Sequence, residues 1–141
     1  MQRTREEFEV AYAMKKAALG PHVVPRWGWD ESEQRAIMEE KWQAKRFFRV
    51  VRDGETLGTI AIDEDSEAIH IGEFYIAPEH QGHGIGSDVL APILRDADAR
   101  QRHARLEVLK WNPARALYER HGFRVVRESD VHYFMERAPA P

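Results

Sequence analysis

The sequence predicts an α+β domain built on one mixed, largely antiparallel sheet that is flanked by helices in a three-layer arrangement. Three observations lead to this fold class. Two segments with the apolar spacing of helices come first, short β-rich segments joined by turns follow, and a glycine-rich loop then opens a further helix. Since a length of 141 residues is typical of one domain, we expect residues 1–141 to form a single domain.

The first predicted helix covers residues 5–19. Thr4 and Glu7 form a capping box in front of apolar residues at helical spacing. A glycine followed by a proline is a pattern that ends helices, so we expect a loop to begin at residues 20–21.

The second predicted helix covers residues 31–44. Asp30 is well suited to cap its N-terminus. Ile37, Met38 and Trp42 lie at the spacing of one helical face, which we expect to be buried.

The middle of the chain predicts an antiparallel meander of strands. Asp53 and Gly54 form a strong two-residue hairpin signal between β-rich runs at residues 47–52 and 56–63. After a further turn, a third strand is expected over residues 68–77.

The C-terminal half predicts a helix, a strand, a second helix and a hairpin. The glycine loop at residues 81–86 leads into an amphipathic helix, and the apolar run 106–109 predicts the next strand. Asn112, followed by proline, suits the start of another helix, and Gly122 suits its end. Two last strands form a hairpin over residues 123–137. The only clear parallel crossover therefore follows the glycine loop.

The composition excludes several classes of function. The chain has no cysteine, which removes disulfides, a thiolate nucleophile and any cysteine zinc site, and we expect no metal. No stretch approaches the ~18 continuous apolar residues that a membrane span needs, and the charged N-terminus has no signal segment. We therefore expect a cytoplasmic protein without membrane contact. A net charge of −3 disfavours a nucleic-acid partner and suits a cationic acceptor such as an amine.

The glycine loop at residues 81–86 has the chemistry of an anion site. Glycines allow close approach of a ligand, and the free amides and dipole of the next helix attract a pyrophosphate. A Walker loop is excluded because no Lys–Ser/Thr pair follows. A dinucleotide fold is the closer rival, since Glu107 lies near the position of a ribose-binding acid, but these glycines alternate and antiparallel hairpins precede them.

Two motifs resemble the signatures of one enzyme family. The run IAPEHQGHGIG at residues 76–86 resembles the acetyl-CoA signature Q/R-x-x-G-x-G/A of the GNAT (GCN5-related) N-acetyltransferases. The run NPARALYERHGF at residues 112–123 resembles the second signature, N-x-x-A-x-x-x-Y-x-x-x-G-F, with one residue fewer between Asn112 and Tyr118. The resemblance covers nearly the whole chain and implies a GNAT-like fold with a CoA-binding core at residues 67–122.

The resemblance implies that acetyl-CoA is the cosubstrate. In the family, pantetheine lies between two strands that splay apart, so the backbone of residues 74–76 would pair with it. Amides of residues 82–87 would hold the pyrophosphate, and Gln81 would shape the loop. Asn112 would reach the cofactor, cap the following helix, or do both. The implied cofactor-binding residues are Phe74, Tyr75, Ile76, Gln81, Gly82, His83, Gly84, Ile85, Gly86, Ser87 and Asn112.

The resemblance also implies the catalytic residues. Tyr118 would be the general acid that protonates the leaving thiolate, although helical spacing alone favours a core tyrosine. Glu73 ranks first as the base, because a carboxylate on an apolar strand has a functional or a paired role. Glu107 ranks second and His70 third, with a structural role favoured for His70, and a relayed water would also serve.

The inter-helix region forms the acceptor wall in the family. Trp27 or Trp29 would therefore contact the acceptor. Alternatively, these tryptophans anchor the hydrophobic core.

The family pattern begins with a strand, for which residues 1–3 are too few. The sheet edge therefore either stays open or is covered by a second copy in a homodimer. Pro92 departs from the pattern of its predicted helix and should kink it.

The sequence therefore predicts an N-acetyltransferase that moves an acetyl group from acetyl-CoA to a primary amine of a small molecule, a peptide or a protein by direct attack in a ternary complex. One alternative is a non-catalytic acyl-CoA-binding or interaction module on the same fold. A dinucleotide-binding oxidoreductase is the less favoured alternative.

Overall fold

A computed structural model gives the fold of the chain and describes residues 4–141. Residues 1–3, which the sequence analysis found too few for a first strand, lie outside the described residues. The elements in chain order are α1 (Arg5–Trp27), α2 (Glu31–Ala44), β1 (Phe47–Arg52), β2 (Glu55–Glu64), β3 (Ala68–Ile76), a 3₁₀ turn (Pro78–His80), α3 (Ile85–Ala99), β4 (His103–Leu109), α4 (Arg115–Arg120), β5 (Arg124–Glu128) and β6 (His132–Arg137).

The strands form one mixed, six-stranded sheet in the order β1-β2-β3-β4-β6-β5. β1 pairs with β2, β4 with β6 and β5 with β6 in antiparallel orientation, whereas β3 and β4 are parallel. The parallel pair is connected through α3, as predicted for the crossover after the glycine loop. The sheet with its helices confirms the predicted fold class.

The hairpin between β1 and β2 turns at the predicted residues. Asp53 and Gly54 have φ angles of 51° and 78°. Two successive residues with positive φ match the right-handed twist of the strands that they join, which is why this dipeptide is a reliable hairpin signal.

α1 is longer than predicted, because it continues beyond Leu19 to Trp27. The expected stop at residues 20–21 lies inside the helix. The buried stripe of α1 runs on through Val23, and tertiary burial of that stripe outweighs the local preference of glycine and proline for a break. The helix ends before Gly28, whose φ of 71° and ψ of −172° form a combination that essentially only glycine adopts. Trp27 therefore lies on a helix, where a loop was expected.

α2 spans the predicted residues, Glu31–Ala44. Asp30 Oδ1 accepts a hydrogen bond from the Glu33 N–H at 2.9 Å, so this aspartate caps the helix as expected. The buried face of α2 joins α1 and the first strands in a hydrophobic cluster made of Phe8, Ala11, Tyr12, Met38, Trp42, Phe47 and Ala61.

α3 contains Pro92, and this exposed proline does not end the helix. The apolar face of α3 is buried at helical spacing, which stabilises the helix on both sides of the proline. The buried residues are Ile85, Leu90, Leu94 and Ala97.

α4 begins at Arg115, later than the expected start at Asn112. The Asn112 side chain accepts a hydrogen bond from the Ala114 N–H at 2.9 Å. Such a local turn competes with helix formation and delays the first helical residue. Gly122 follows α4 with a φ of 92°, as predicted for the glycine that ends it.

The chain divides into two compact units. The first runs through Ile62 and adds Glu73–Gln81, and the second consists of Asp63–Gly72 and Gly82–Pro141. The prediction of one domain over residues 1–141 stays a prediction. Within residues 4–141, no helix is both long and apolar enough to cross a membrane.

Candidate active site

In the second unit, the glycine loop turns the chain into α3. Gly82 and Gly84 have φ angles of 80° and 77°, in the left-handed region that glycine adopts without strain. Gly84 is the N-cap of α3. A Cβ atom added to either glycine would meet no heavy atom within 4 Å, so there is open space beside the loop.

The start of α3 presents backbone N–H groups that have no partner within the helix. The first hydrogen bond of the helix runs from the Asp88 N–H to the Gly84 carbonyl at 3.0 Å. The N–H groups of Ile85, Gly86 and Ser87 precede it and have no partner within the helix. Together with the positive end of the helix dipole, these amides are suited to a pyrophosphate.

α4 packs against this first turn of α3. A Cβ atom on Gly86 would lie 2.8 Å from Leu117 Cδ2, so the third glycine of the loop allows close packing. The next residue, Ser87, places its Oγ 3.0 Å from Nε2 of His121, at the end of α4. Two successive residues in the first turn of α3 are therefore supported by α4 and the residue that follows it.

Tyr118 lies in α4 and is buried. Its ring packs edge-on against Phe123, with 5.9 Å between the ring centroids. Burial raises the pKa of the Tyr118 phenol, so the group keeps its proton at neutral pH, as a general acid must. The burial and the ring contact also fit a core tyrosine.

Glu107 lies on β4, opposite Phe134 of β6, and is exposed. Its neighbours Leu106 and Val108 are buried, so Glu107 points from the other face of the strand. Asn112, on the turn before α4, is half-buried and uses its side-chain oxygen in that turn.

The histidine of the glycine loop, His83, is exposed. In the part of the chain that the structure describes, no group of three or more His, Asp or Glu side chains is arranged to hold a metal ion.

In the first unit, the end of β3 leads into the glycine loop. The Gln81 side-chain amide donates to the Ile76 carbonyl at 2.9 Å, a contact that shapes the intervening turn. Phe74, Tyr75 and Ile76 are half-buried. β3 pairs with β4 through residues 68–70 and continues beyond them to Ile76.

Glu73, also in the first unit, is a buried carboxylate with two lysine partners. Its Oε1 lies 2.8 Å from Lys41 Nζ, and its Oε2 lies 3.6 Å from Lys15 Nζ. The side chains of Glu73 and Lys15 are only 3% and 6% exposed, whereas that of Lys41 is 31% exposed. Glu73 has a φ of 46°, a strained conformation for a residue with a side chain.

The ion pairs decide the charge state of Glu73. Burial opposes the ionised form, but the charges of Lys15 and Lys41 outweigh it and hold the pKa of Glu73 below its ordinary value. Burial lowers the pKa of the Lys15 ammonium. Glu73 is therefore an anion with the paired role that the sequence analysis left open.

Neither Lys15 nor Lys41 was predicted from the sequence to belong to this cluster. Lys15 carries a usable signal, because it falls on the apolar stripe of α1 between Ala11 and Leu19. A lysine on a buried stripe requires a buried anion as a partner. Lys41 carries a similar but weaker signal: it lies at helical spacing from Ile37 and Met38, but its side chain is 31% exposed.

The two tryptophans differ in their surroundings. Trp29 Nε1 lies 3.1 Å from the Tyr12 hydroxyl and 2.9 Å from Glu31 Oε2, and its ring packs against the hydrophobic cluster. Trp27, at the end of α1, is 53% exposed. Trp29 thus has the contacts of a core anchor, and Trp27 has the exposure that an acceptor wall needs.

Known structures share this fold. The PaiA N-acetyltransferase of Thermoplasma acidophilum, crystallised with coenzyme A, is 17% identical with a TM-score of 0.76, and the match covers 94% of this chain and 93% of that one. A protein from Pyrococcus horikoshii OT3 is 20% identical with a TM-score of 0.80 over 100% and 96%. The ribosomal-protein-S18-alanine N-acetyltransferase of Escherichia coli is 17% identical with a TM-score of 0.69 over 98% and 91%.

A sequence-family model, described as the acetyltransferase (GNAT) family, matches residues 11–123. The matched region includes the glycine loop, the first turn of α3 and Tyr118. It extends over most of the chain, from α1 to the residue before β5. The chain belongs to the GNAT family of acetyltransferases.

Proposed function

We propose that this protein is an N-acetyltransferase that moves an acetyl group from acetyl-CoA to a primary amine by direct attack in a ternary complex. The observation that carries the proposal is the row of helix-start amides at residues 85–87, preceded by a left-handed Gly84, in a chain of the acetyltransferase family. A neighbour in fold, the PaiA enzyme, was crystallised with coenzyme A.

The residues present fit acetyl-CoA. The open space beside Gly82 and Gly84 leaves room for a pyrophosphate at the amides of Ile85, Gly86 and Ser87. We assign the pantetheine amides to the backbone of residues 74–76, because β3 continues past its pairing with β4. Further cofactor contacts are assigned to Gln81, His83 and Asn112.

In the proposed reaction, the amine nitrogen attacks the thioester carbonyl carbon. The C–N bond forms, the C–S bond breaks, and the Tyr118 hydroxyl gives its proton to the leaving thiolate. The phenol then regains a proton from solvent. A base takes the proton that the acceptor nitrogen must lose.

Glu73 and Glu107 are the two candidate bases, and their surroundings differ. Glu73 is tied to two lysines, which hold its pKa low, and a carboxylate with a low pKa accepts a proton poorly. Glu107 is exposed. These surroundings favour Glu107, or a water that it polarises, over Glu73.

The acceptor is proposed to be a primary amine of a small molecule or a peptide. The E. coli neighbour in fold is named as an enzyme for an alanine of ribosomal protein S18, so this fold serves protein amines in at least that case. We assign contact with the acceptor to the exposed Trp27, and not to Trp29, whose indole is engaged in the core.

The test combines binding with turnover. Thermal unfolding is followed with acetyl-CoA, CoA and NAD, and free CoA release is measured with amines, amino acids, polyamines, aminoglycosides and peptides. Acetyl-CoA at about 100 times its Kd should add roughly 2.7 kcal/mol to the free energy of unfolding. At least one class of amine should release CoA in step with acetylated product.

Gly84→Asp is the matched binding control, because it places a negative charge and a strained residue in the phosphate site. This variant should lose the acetyl-CoA effect. Equal binding by the variant would overturn the site assignment. Binding without turnover on any amine would point to the non-catalytic module, and stabilisation by NAD alone would point to the dinucleotide fold.

A further inference from the structure

His121 is held by its backbone and its ring at once. Its carbonyl accepts a hydrogen bond from Arg137 Nε at 2.9 Å. The Arg137 guanidinium in turn binds both oxygens of Asp98, in the last turn of α3, at 2.7 and 3.0 Å. The half-buried ring reaches back to Ser87, in the first turn of the same helix, at 3.0 Å.

A second contact fixes this geometry. Leu117, four positions before His121 in the chain, packs where a side chain on Gly86 would be, since a Cβ there would lie 2.8 Å from Leu117 Cδ2. α4 therefore contacts two successive residues of the first turn of α3. The anchored backbone of His121 keeps its ring within hydrogen-bonding reach of Ser87.

The hydrogen bond can run in either of two directions. If Nε2 accepts, the single hydroxyl hydrogen of Ser87 points at the imidazole, and only lone pairs of Oγ face a neighbouring anion. If Nε2–H donates, the hydroxyl hydrogen is free to point elsewhere. An anion at the Ser87 amide selects the second arrangement, because it attracts the hydrogen and repels the lone pairs.

We propose that His121 is a positioning residue for the cosubstrate: its Nε2–H donates to Ser87 Oγ and so directs the Ser87 hydroxyl hydrogen to a pyrophosphate oxygen. The inference rests on the proposed function, since it takes the pyrophosphate of CoA as the anion. It adds to that function a side-chain donor beside the backbone amides, and a residue outside the glycine loop that orients it.

A double-mutant cycle tests this role. Ser87→Ala, His121→Phe and the double variant are compared with the parent by titration calorimetry with CoA. Each single change should weaken CoA binding about tenfold, the scale of one hydrogen bond to a charged group. The double variant should be no weaker than the worse single variant, because either change already removes the oriented hydroxyl. Losses that multiply would overturn the proposal.

His121→Gln provides the rescue, since its side-chain amide can present a donor where Nε2 stands. It should recover most of the CoA affinity. His103→Gln, which changes a histidine paired with Glu136, is the control and should leave the CoA affinity at the parent value.

Kinetics give a second measure of the same role. KM for acetyl-CoA should rise in His121→Phe while kcat changes little. With acetyl-pantetheine, which lacks the pyrophosphate, Ser87→Ala and His121→Phe should match the parent; a deficit there would indicate a general packing defect.

Failure of this inference differs from failure of the proposed function. If the parent protein does not bind CoA, the function proposed above is wrong. If the parent binds CoA and His121→Phe binds it equally well, only the role of His121 is wrong. Loss of affinity in both His121→Phe and His121→Gln, with unfolding temperatures below the parent, would assign His121 to packing and overturn its role as a donor.

Discussion

The cluster of Glu73 with Lys15 and Lys41 shows that a buried carboxylate requires positive charges beside it. A carboxylate and an ammonium that are both buried require each other, because an isolated charge in the interior is costly. Glu73 Oε2 makes no hydrogen bond in the structure, and the Lys15 ammonium lies 3.6 Å from it. The carboxylate is thus held by charge on one oxygen and by a hydrogen bond from Lys41 on the other.

Replacing Glu73 by glutamine should mainly affect stability. Glu73→Gln leaves Lys15 without a counter-charge, which should cost about 3–5 kcal/mol of the free energy of unfolding. Urea unfolding measures this loss. Glu107→Gln, on an exposed residue, is the control and should change stability by less than about 0.5 kcal/mol.

Turnover of the folded molecules separates the two candidate bases. We expect turnover per folded molecule to fall about 10²-fold or more in Glu107→Gln and much less in Glu73→Gln. The reverse order would assign the base to Glu73 despite its ion pairs.

The role of Tyr118 is the second question at the residue scale. Its burial fits both a tyrosine that only packs and a tyrosine that donates a proton. Tyr118→Phe keeps the ring contact with Phe123 and removes the hydroxyl. If Tyr118 only packs, the variant should lose about 0.5–1.5 kcal/mol of the free energy of unfolding. Its turnover should then stay normal. We expect instead normal CoA binding with kcat reduced roughly 10²-fold, because the leaving thiolate has no proton donor.

Acyl donors with leaving thiols of different pKa provide the decisive measurement for Tyr118→Phe. A more acidic thiol leaves without protonation, so the deficit of the variant should shrink with it. A deficit that stays constant across the donor series would contradict the role as general acid.

At the scale of elements, close approaches between neighbours depend on particular glycines. Gly58 lies in β2, and a Cβ there would stand 2.2 Å from the Tyr75 carbonyl oxygen of β3. Gly86 faces the end of the Leu117 side chain, where a Cβ would stand 2.8 Å away. A backbone atom cannot move aside as a leucine methyl can, so the two glycines differ in how replaceable they are.

Alanine substitutions should reveal that difference. Gly58→Ala should lose about 2–3 kcal/mol of the free energy of unfolding, the upper range for overpacking. Gly86→Ala should lose no more than about 1 kcal/mol, because Leu117 can shift. Gly20→Ala is the matched control: its Cβ meets nothing within 4 Å, and alanine is the better helix former, by up to ~1 kcal/mol. Equal losses in Gly58→Ala and Gly86→Ala in urea unfolding would contradict this account.

At the scale of the whole molecule, two carboxylates with low pKa values are expected to contribute to acid stability. The hydrogen bond from Arg137 lowers the pKa of Asp98 to about 2, from an ordinary value of 3.8. Hydrogen bonds from the backbone N–H groups of Ala68 and Glu67 lower the pKa of Asp65 to about 2 as well. A carboxyl whose pKa is lowered in the folded state stabilises the fold above its unfolded pKa and loses that effect as pH falls through the folded value.

Asp98→Asn should therefore be less stable than the parent at neutral pH. The difference in free energy of unfolding should be fully present above pH 3.8 and should vanish as pH falls toward about 2. Urea unfolding over a pH series measures it, with Asp65→Asn as a second case of the same sign. A difference that persists unchanged at the acid end would show that Asp98 acts through packing or neutral hydrogen bonds.

Local signals in the sequence were sufficient for most of the fold. The hairpin at Asp53 and Gly54, the second helix over Glu31–Ala44 and the helix that follows the glycine loop all match the structure. These features depend on the conformational preferences of a few adjacent residues, which are the same in every tertiary context. The family signatures around the loop and Tyr118 are local in the same sense, and the family match agrees with them.

The order of elements, the glycine loop before α3 and the family can thus be predicted from the residues alone. Only the tertiary structure decided how far α1 extends, which lysines accompany Glu73, and that His121 supports Ser87. The partners in these contacts lie far apart in the chain, and their free energies come from burial and charge pairing that exist only after the elements have packed. The glycine loop is encoded in its own residues, whereas the contacts that hold its first helical turn are made by α4.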